Sequence, residues 1–165
     1  MVSAAGEGIG WLRIDATDPQ GPVALALLRE AAIEARELYP ELHDPVAPWP
    51  TNPPAPPRGT YLIAWSGEVP VGCGALRPID GDTVEVRRMY VLRTARKSGV
   101  ARAVLARLES VARSLGFKVM RLETGYRQQP AMALYESAGF RKIPAFGEYA
   151  NDPISVCFEK RLDDE

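Results

Sequence analysis

Eight prolines fall within the nineteen residues "PELHDPVAPWPTNPPAPPR", positions 40–58. Each fixes φ and removes a backbone donor, so the stretch can be neither a regular helix nor a central strand. Regular structure must therefore be built on either side of it. The segment carries Trp49 and lies inside the chain, which favours a loop forming a substrate-side wall over a disordered linker.

Upstream, "WLRIDAT" (11–17) alternates apolar and polar residues as a first strand does, and Asp18-Pro19 breaks it. Val23, Leu27, Ala31 and Leu38, with Leu28 and Ala35, set an apolar stripe along a helix that runs to about Tyr39. Downstream, "TYLIAWSGEVPVGCGALRPI" (60–79) gives two strands joined at Ser66-Gly67-Glu68, and "TVEVRRMYVL" (83–92) gives another. Val100, Val104, Leu108, Val111 and Leu115, beside Leu105 and Ala112, mark a helix over about 99–115, with Gly116 as its left-handed exit. "KVMRLETG" (118–125) is a strand, "QPAMALYESAG" (129–139) a short helix ending at glycine, and "FRKI" and "ISVCFEKRL" (154–162) are the last strands. The order β-α-β-β-β-α-β-α-β-β predicts an α/β (α+β) fold: a single mixed, mostly antiparallel sheet flanked by helices, in one domain spanning 1–165.

A net charge of −1 argues against a general nucleic-acid or anionic-membrane binder. Six basic residues do cluster in 87–102 (Arg87, Arg88, Arg93, Arg96, Lys97 and Arg102), which taken alone describes a solvated face. There is no apolar run long enough to cross a membrane and no secretory pattern in "MVSAAGEGIGW", so a cytoplasmic protein is expected. Cys73 and Cys157 lack metal or redox spacing and are expected as buried free thiols, with no metal site. The lone His43 is expected to be exposed in the proline-rich loop.

The start of the second helix carries chemical information. The first N–H groups of a helix have no internal partner, and the helix dipole concentrates positive charge there. Arg96, Lys97, Ser98, Gly99, Val100, Ala101 and Arg102 combine small residues with cations, a combination that suits a pyrophosphate cradle. They equally suit an uncapped surface helix whose glycine merely allows the turn. "GCGALR" (72–77) starts like a dinucleotide fingerprint, but Arg77 replaces the third glycine and no helix follows. It reads as a strand that another segment approaches closely.

Arg96-x-x-Gly99-x-Ala101 after "VRRMYVL" resembles the Q/R-x-x-G-x-G/A acyl-CoA signature of the GNAT N-acetyltransferase superfamily, and "QQPAMALYESAGF" is similar to that family's "NxxAxxLYExxGF" segment. The resemblance covers about 60–143. It implies acetyl-CoA as co-substrate, with its pyrophosphate on the amides of 97–102. It also implies that Met89, Tyr90 and Val91 pair with the pantetheine arm, and that Gln128 contacts the cofactor where many members have Asn. Tyr135, the tyrosine of "LYE", stands where the family often has its general acid, although it fits a core aromatic as well. Glu85 lies eleven positions before Arg96, the offset of a base glutamate in histone-modifying relatives. Its other reading is a carboxylate paired with Arg87 or Arg88. Plain strand alternation places Glu85 with Arg87, Met89 and Val91, opposite Arg88 and Tyr90, unless a bulge intervenes. Glu123 is the reserve base.

The chemistry expected is acetyl transfer to the primary amine of a small molecule by direct attack. The protein would act without nucleic acid or membrane, as a monomer or homodimer. The alternatives are a non-catalytic acyl-CoA-binding module and a protein or peptide N-acetyltransferase. Arg87 and Arg88 are alternatively recognition groups for a substrate carboxylate, and Tyr61, Trp65, Trp49 and Tyr149 candidates for an aromatic wall.

Overall fold

A computed structural model describes residues 10–163. The expectation about a secretory leader falls largely on residues 1–9, outside that span. Seven strands form one sheet: β1 (Leu12–Ala16), β2 (Thr60–Ser66), β3 (Val69–Pro78), β4 (Thr83–Val91), β5 (Val119–Gly125), β6 (Arg141–Ile143) and β7 (Ser155–Arg161). Their spatial order is β1-β2-β3-β4-β5-β7-β6. Three helices accompany them: α1 (Pro22–Leu38), α2 (Val100–Ser114) and α3 (Gln129–Ser137). The mixed α+β architecture and the element order are those expected from the sequence.

Only β4 and β5 run parallel; every other neighbouring pair is antiparallel. The parallel pair is bridged by the α2 crossover, as a parallel connection requires. On one face of the sheet, Val100, Val104 and Leu108 of α2 pack with Leu62, Leu76, Val84, Val86, Met120 and Leu122. On the other face, Ala24 and Leu27 of α1 pack with Tyr61, Ile63, Cys73 and Ala75. Strand β2 thus feeds alternate residues to two cores, which is why "YLIA" has no polar side.

The glycines of "GCGALR" answer to close packing. A Cβ on Gly74 would lie 2.8 Å from Val104 Cγ1 and 2.9 Å from Leu108 Cδ1. Only a residue without a side chain lets α2 settle on β3 at that distance, so the motif serves helix–sheet contact rather than a nucleotide.

The α1 stripe needs a correction. Burial falls on Ala24, Leu27 and Leu28, while Leu38 is exposed. Past Leu28 the helix also borders the proline-rich loop, where the Arg29 and Arg36 guanidinium groups lie over the Trp49 ring at 4.6 and 3.9 Å. Asn52, also buried, ties the same loop down: its Nδ2 donates to Pro19 O at 2.8 Å. The proline segment is therefore an anchored wall. Cys73 and Cys157 are both buried and free.

Candidate active site

Strands β4 and β5 pair only through Thr83–Val119, Val84–Met120 and Glu85–Arg121. Beyond Glu85 they part, while β4 stays with β3 as far as Val91. The β4 edge that turns from β5 is left without a strand partner. The β3–β4 register shifts at the same place: Ala75 faces Arg87, but Cys73 faces Tyr90. One extra β4 residue is absorbed there, at Arg88, whose φ is 61°.

That bulge inverts the alternation downstream. Val84, Val86, Met89 and Val91 pack toward α2. Glu85, Arg87, Arg88 and Tyr90 lie on the opposite face, where Arg87 and Arg88 line a pocket beneath the proline-rich loop and Tyr90 packs against the α1 core. Met89 and Val91 are therefore not on the side of Glu85, as plain alternation has it. The extra residue moved them.

After β4, one 3-10 turn (Arg93–Ala95) leads to Arg96, Lys97 at φ 64°, Ser98 and Gly99 at φ 92°, and α2 begins. Residues 96–99 are exposed. No side chain caps the helix, and the first helical bond is Ala103 N to Gly99 O at 3.0 Å. Among the described residues, nothing accepts a hydrogen bond from the N–H groups of Lys97, Ser98, Gly99, Val100, Ala101 or Arg102. Two left-handed residues so close together curl those groups into a concave, partly positive surface. An anion with several acceptor oxygens fits it, which is the chemistry of a diphosphate.

Arg96 does not point into this turn. Its Nε donates to Val91 O at 3.0 Å, and its Nη2 donates to Glu34 Oε1 at 2.6 Å. Glu34 also accepts from Tyr90 Oη at 2.5 Å. One α1 carboxylate thus binds the end of β4 to the cradle. Burial would raise its pKa, but the hydrogen bonds from Tyr90 and Arg96 prevail and hold it below the usual glutamate value. Nothing in the sequence pattern around Glu34 marks it, since its partners are 56 and 62 residues away.

Across the gap, Tyr135 is buried against Phe140 and Phe158. Its hydroxyl makes no hydrogen bond among the described residues, yet it is not sealed from solvent. Burial, reinforced by the charge of Glu123, pushes the phenol up to about 12, so at neutral pH it keeps a proton it can give. Glu123 pairs across to Cys157 on β7 and accepts from Ser155 Oγ at 2.7 Å. Burial raises its carboxyl above the usual glutamate value; the Ser155 hydroxyl offsets this in part, and the Asp152 and Glu85 charges add to it.

Glu85 is 3% exposed, and both its oxygens accept hydrogen bonds. It accepts from Arg77 Nη2 at 3.0 Å, Arg87 Nη1 at 3.5 Å and Tyr149 Oη at 2.6 Å. The paired reading is realised with Arg77 and Arg87, while Arg88 goes to Asn52. Gln128 spends its Oε1 on Gly125 N at 2.8 Å, closing the β5–α3 turn. Of the aromatic wall, Tyr61 and Tyr149 border the β3–β4 face, whereas Trp49 sits against α1 and Trp65 beneath Arg13.

A sequence model of the acetyltransferase (GNAT) family matches residues 25–140. An IAA acetyltransferase of Azospirillum brasilense is 40% identical over 109 residues, covering 66% of this chain and 71% of that protein. The uncharacterized N-acetyltransferase YsnE of Bacillus subtilis is 37% identical over 108 residues, covering 64% of this chain and 72% of that one. A solved structure from Klebsiella pneumoniae, assigned to the acyl-CoA N-acyltransferases, superposes with a TM-score of 0.74 at 32% identity, covering 92% of this chain and 97% of that one. A GNAT acetyltransferase from Elizabethkingia anophelis, solved with acetyl-CoA bound, matches with a TM-score of 0.67 at 17% identity over 93% and 99% of the two chains. At that identity the likeness speaks for the fold alone.

Replacing Glu34 by Gln should destabilise the protein by about 1 kcal/mol near neutral pH, since charged hydrogen bonds to Arg96 and Tyr90 become neutral ones. The folded-state pKa of Glu34 is depressed, so its contribution is present above the unfolded value and lost as pH falls through the folded one. Denaturant titrations of parent and variant should converge in acid; a gap that persists there contradicts the assignment.

Proposed function

The chain belongs to the acetyltransferase (GNAT) family, and on that premise we propose that it moves the acetyl group of acetyl-CoA to the primary amine of a small molecule by direct attack. The observation that carries the reading is the set of unpartnered N–H groups at 97–102, at a strand–helix turn of the expected signature whose residues 97–99 are exposed. In this reading those amides hold the cofactor's pyrophosphate, with Lys97 and Arg102 adding positive potential beside them. The unpaired edge of β4 through Met89, Tyr90 and Val91 receives the pantetheine arm. Gln128 holds the turn beneath it, and Arg96 holds the cradle in place.

The acetyl thioester supplies an activated carbonyl and a thiolate leaving group. An amine must first lose a proton, which is demanding for an alkyl ammonium of pKa ~10 and easier for an α-amine near ~8. Glu123 is the base favoured by geometry and electrostatics: it lies on the strand that parts from β4, and burial keeps its carboxyl prone to take a proton. Glu85, whose two oxygens already accept from Arg77, Arg87 and Tyr149, serves as a positioning residue for that cluster. Tyr135, protonated and unbonded, is the donor to the leaving sulfur.

Direct attack is preferred to a cysteine relay. Burial pushes the Cys73 thiol up to about 11, and Cys73 Sγ donates to Arg88 O at 3.1 Å. Burial raises the Cys157 thiol as well. Among the described residues no helix is long and apolar enough to cross a membrane. The anchored proline-rich wall narrows the approach to β4, which favours a small acceptor over a folded protein.

The test is acetyl-CoA-dependent thiol release over an amine panel. Tyr135→Phe should lower kcat about 100-fold with acetyl-CoA affinity unchanged, and full turnover would return Tyr135 to a packing role. Glu123→Gln should remove the acidic limb of the kcat/KM profile. Because burial raises the folded-state pKa, the charged form costs stability at neutral pH, so this variant should also melt higher than the parent at pH ~7. An unchanged pH–rate profile would exclude Glu123 as the base.

A further inference from the structure

The pocket beneath the proline-rich loop has an asymmetry of charge. Arg77, Arg87 and Arg88 all line it, together with Asn52 and Tyr61. Arg77 and Arg87 share the Glu85 carboxylate, and Arg87 also reaches Glu148 at 3.4 Å and Tyr149 Oη at 3.0 Å. Among the described residues, Arg88 has no carboxylate partner. Its Nε donates to Asn52 Oδ1 at 2.9 Å, which leaves the two Nη groups of the guanidinium fork uncommitted. A partly buried cation without an anion is costly unless something supplies the missing charge.

A second, independent observation points the same way. Tyr61 is 4% exposed, and its hydroxyl is enclosed without a hydrogen-bond partner. It lies close to Asn52 and Cys73 without meeting hydrogen-bond geometry to either. A sealed hydroxyl beside a half-satisfied guanidinium forms a site for an acceptor oxygen, and a carboxylate offers two. The positive φ of Arg88 puts this fork at the bulge where β4 leaves β5, beside the strand edge assigned above to the reacting acetyl arm.

Building on the acetyltransferase reading, we propose that this pocket is the carboxylate subsite of the acceptor: Arg88 and Tyr61 bind an acid group, so the substrate is a small amine that also carries a carboxylate. Burial, and then the neighbouring Arg87 charge, already lowers the Arg88 pKa, which an incoming carboxylate would relieve. Polyamines and other purely cationic amines are disfavoured, because they would bring further positive charge to Arg88, which has no carboxylate partner among the described residues. An amino acid or an amino acid derivative has the required pairing of groups. A phosphonate in place of the carboxylate shares the anionic chemistry but not the planar fork geometry.

Thiol release and thermal shift would be measured with the standard amino acids, their carboxamides, the corresponding aminophosphonates and spermidine, after acetyl-CoA binding alone has been titrated. Free acids should be acetylated at least 10-fold more efficiently than their amides, with spermidine poorest; aminophosphonates as good as the acids would overturn the carboxylate assignment. Arg88→Met should raise KM for the acid about 10–100-fold, leave acetyl-CoA affinity unchanged and abolish the preference over the amide. Tyr61→Phe, which removes one oxygen from an intact fold, should raise the same KM by a smaller factor.

Acetyl-CoA turnover with no preference for acids overturns this subsite alone, as does a panel in which no acid shifts the melting temperature or releases thiol. Failure of acetyl-CoA to bind at all overturns the acetyltransferase reading beneath it.

Discussion

The proposed cofactor edge depends on β4 leaving β5 after three paired residues. A parallel pair that continued would close the sheet and bury the main chain of both strands. Parting leaves the edge of β4 unpaired between two cores that hold the remaining strands rigid. The bulge at Arg88 makes the departure possible without loss of the β3 pairing, because one extra residue is absorbed where the two edges diverge. The opening therefore exists without any element having to move.

Two carboxylates fix the ends of that strand. Glu34 gathers Tyr90 and Arg96 at its C-terminal end, and Glu85 gathers Arg77, Arg87 and Tyr149 before the bulge. Each joins segments distant in sequence, so the strand edge, the helix start and the loop after β6 are held in one frame. A buried ion pair adds little net stability over an apolar packing of the same volume, but it fixes one arrangement among several. Here the fixed arrangement is a set of N–H groups at the start of α2 to which no described residue offers an acceptor.

Local pattern made much of this visible in the sequence. The α2 stripe, Gly99 before it and Gly116 after it, the "LYESAGF" helix end and the β2–β3 hairpin all rest on contacts within a few residues, and they lie where periodicity and turn chemistry put them. What escaped was set by distant contacts. A bulge in β4 is allowed by the sequence but cannot be located from β4 alone, and plain alternation without it inverts the facing of Met89 and Val91. Glu34, Asn52 and the Trp49 stack depend on partners across the fold and carry no motif. Arg96, a signature residue, turned out to clamp the turn from outside. The hydrogen bonds that Glu85 and Glu123 accept are likewise a property of distant neighbours that no spacing records.

The claim at the centre is that the amides of 97–102 are free to grip a diphosphate, and amide NMR of the parent protein titrated with acetyl-CoA measures it most directly. The account predicts that the 1H–15N resonances of Lys97, Ser98, Gly99, Val100, Ala101 and Arg102 shift downfield with the largest amplitudes in the chain and that their hydrogen exchange slows on saturation. Resonances from that turn which stay put while acetyl-CoA binds and perturbs another region would contradict it.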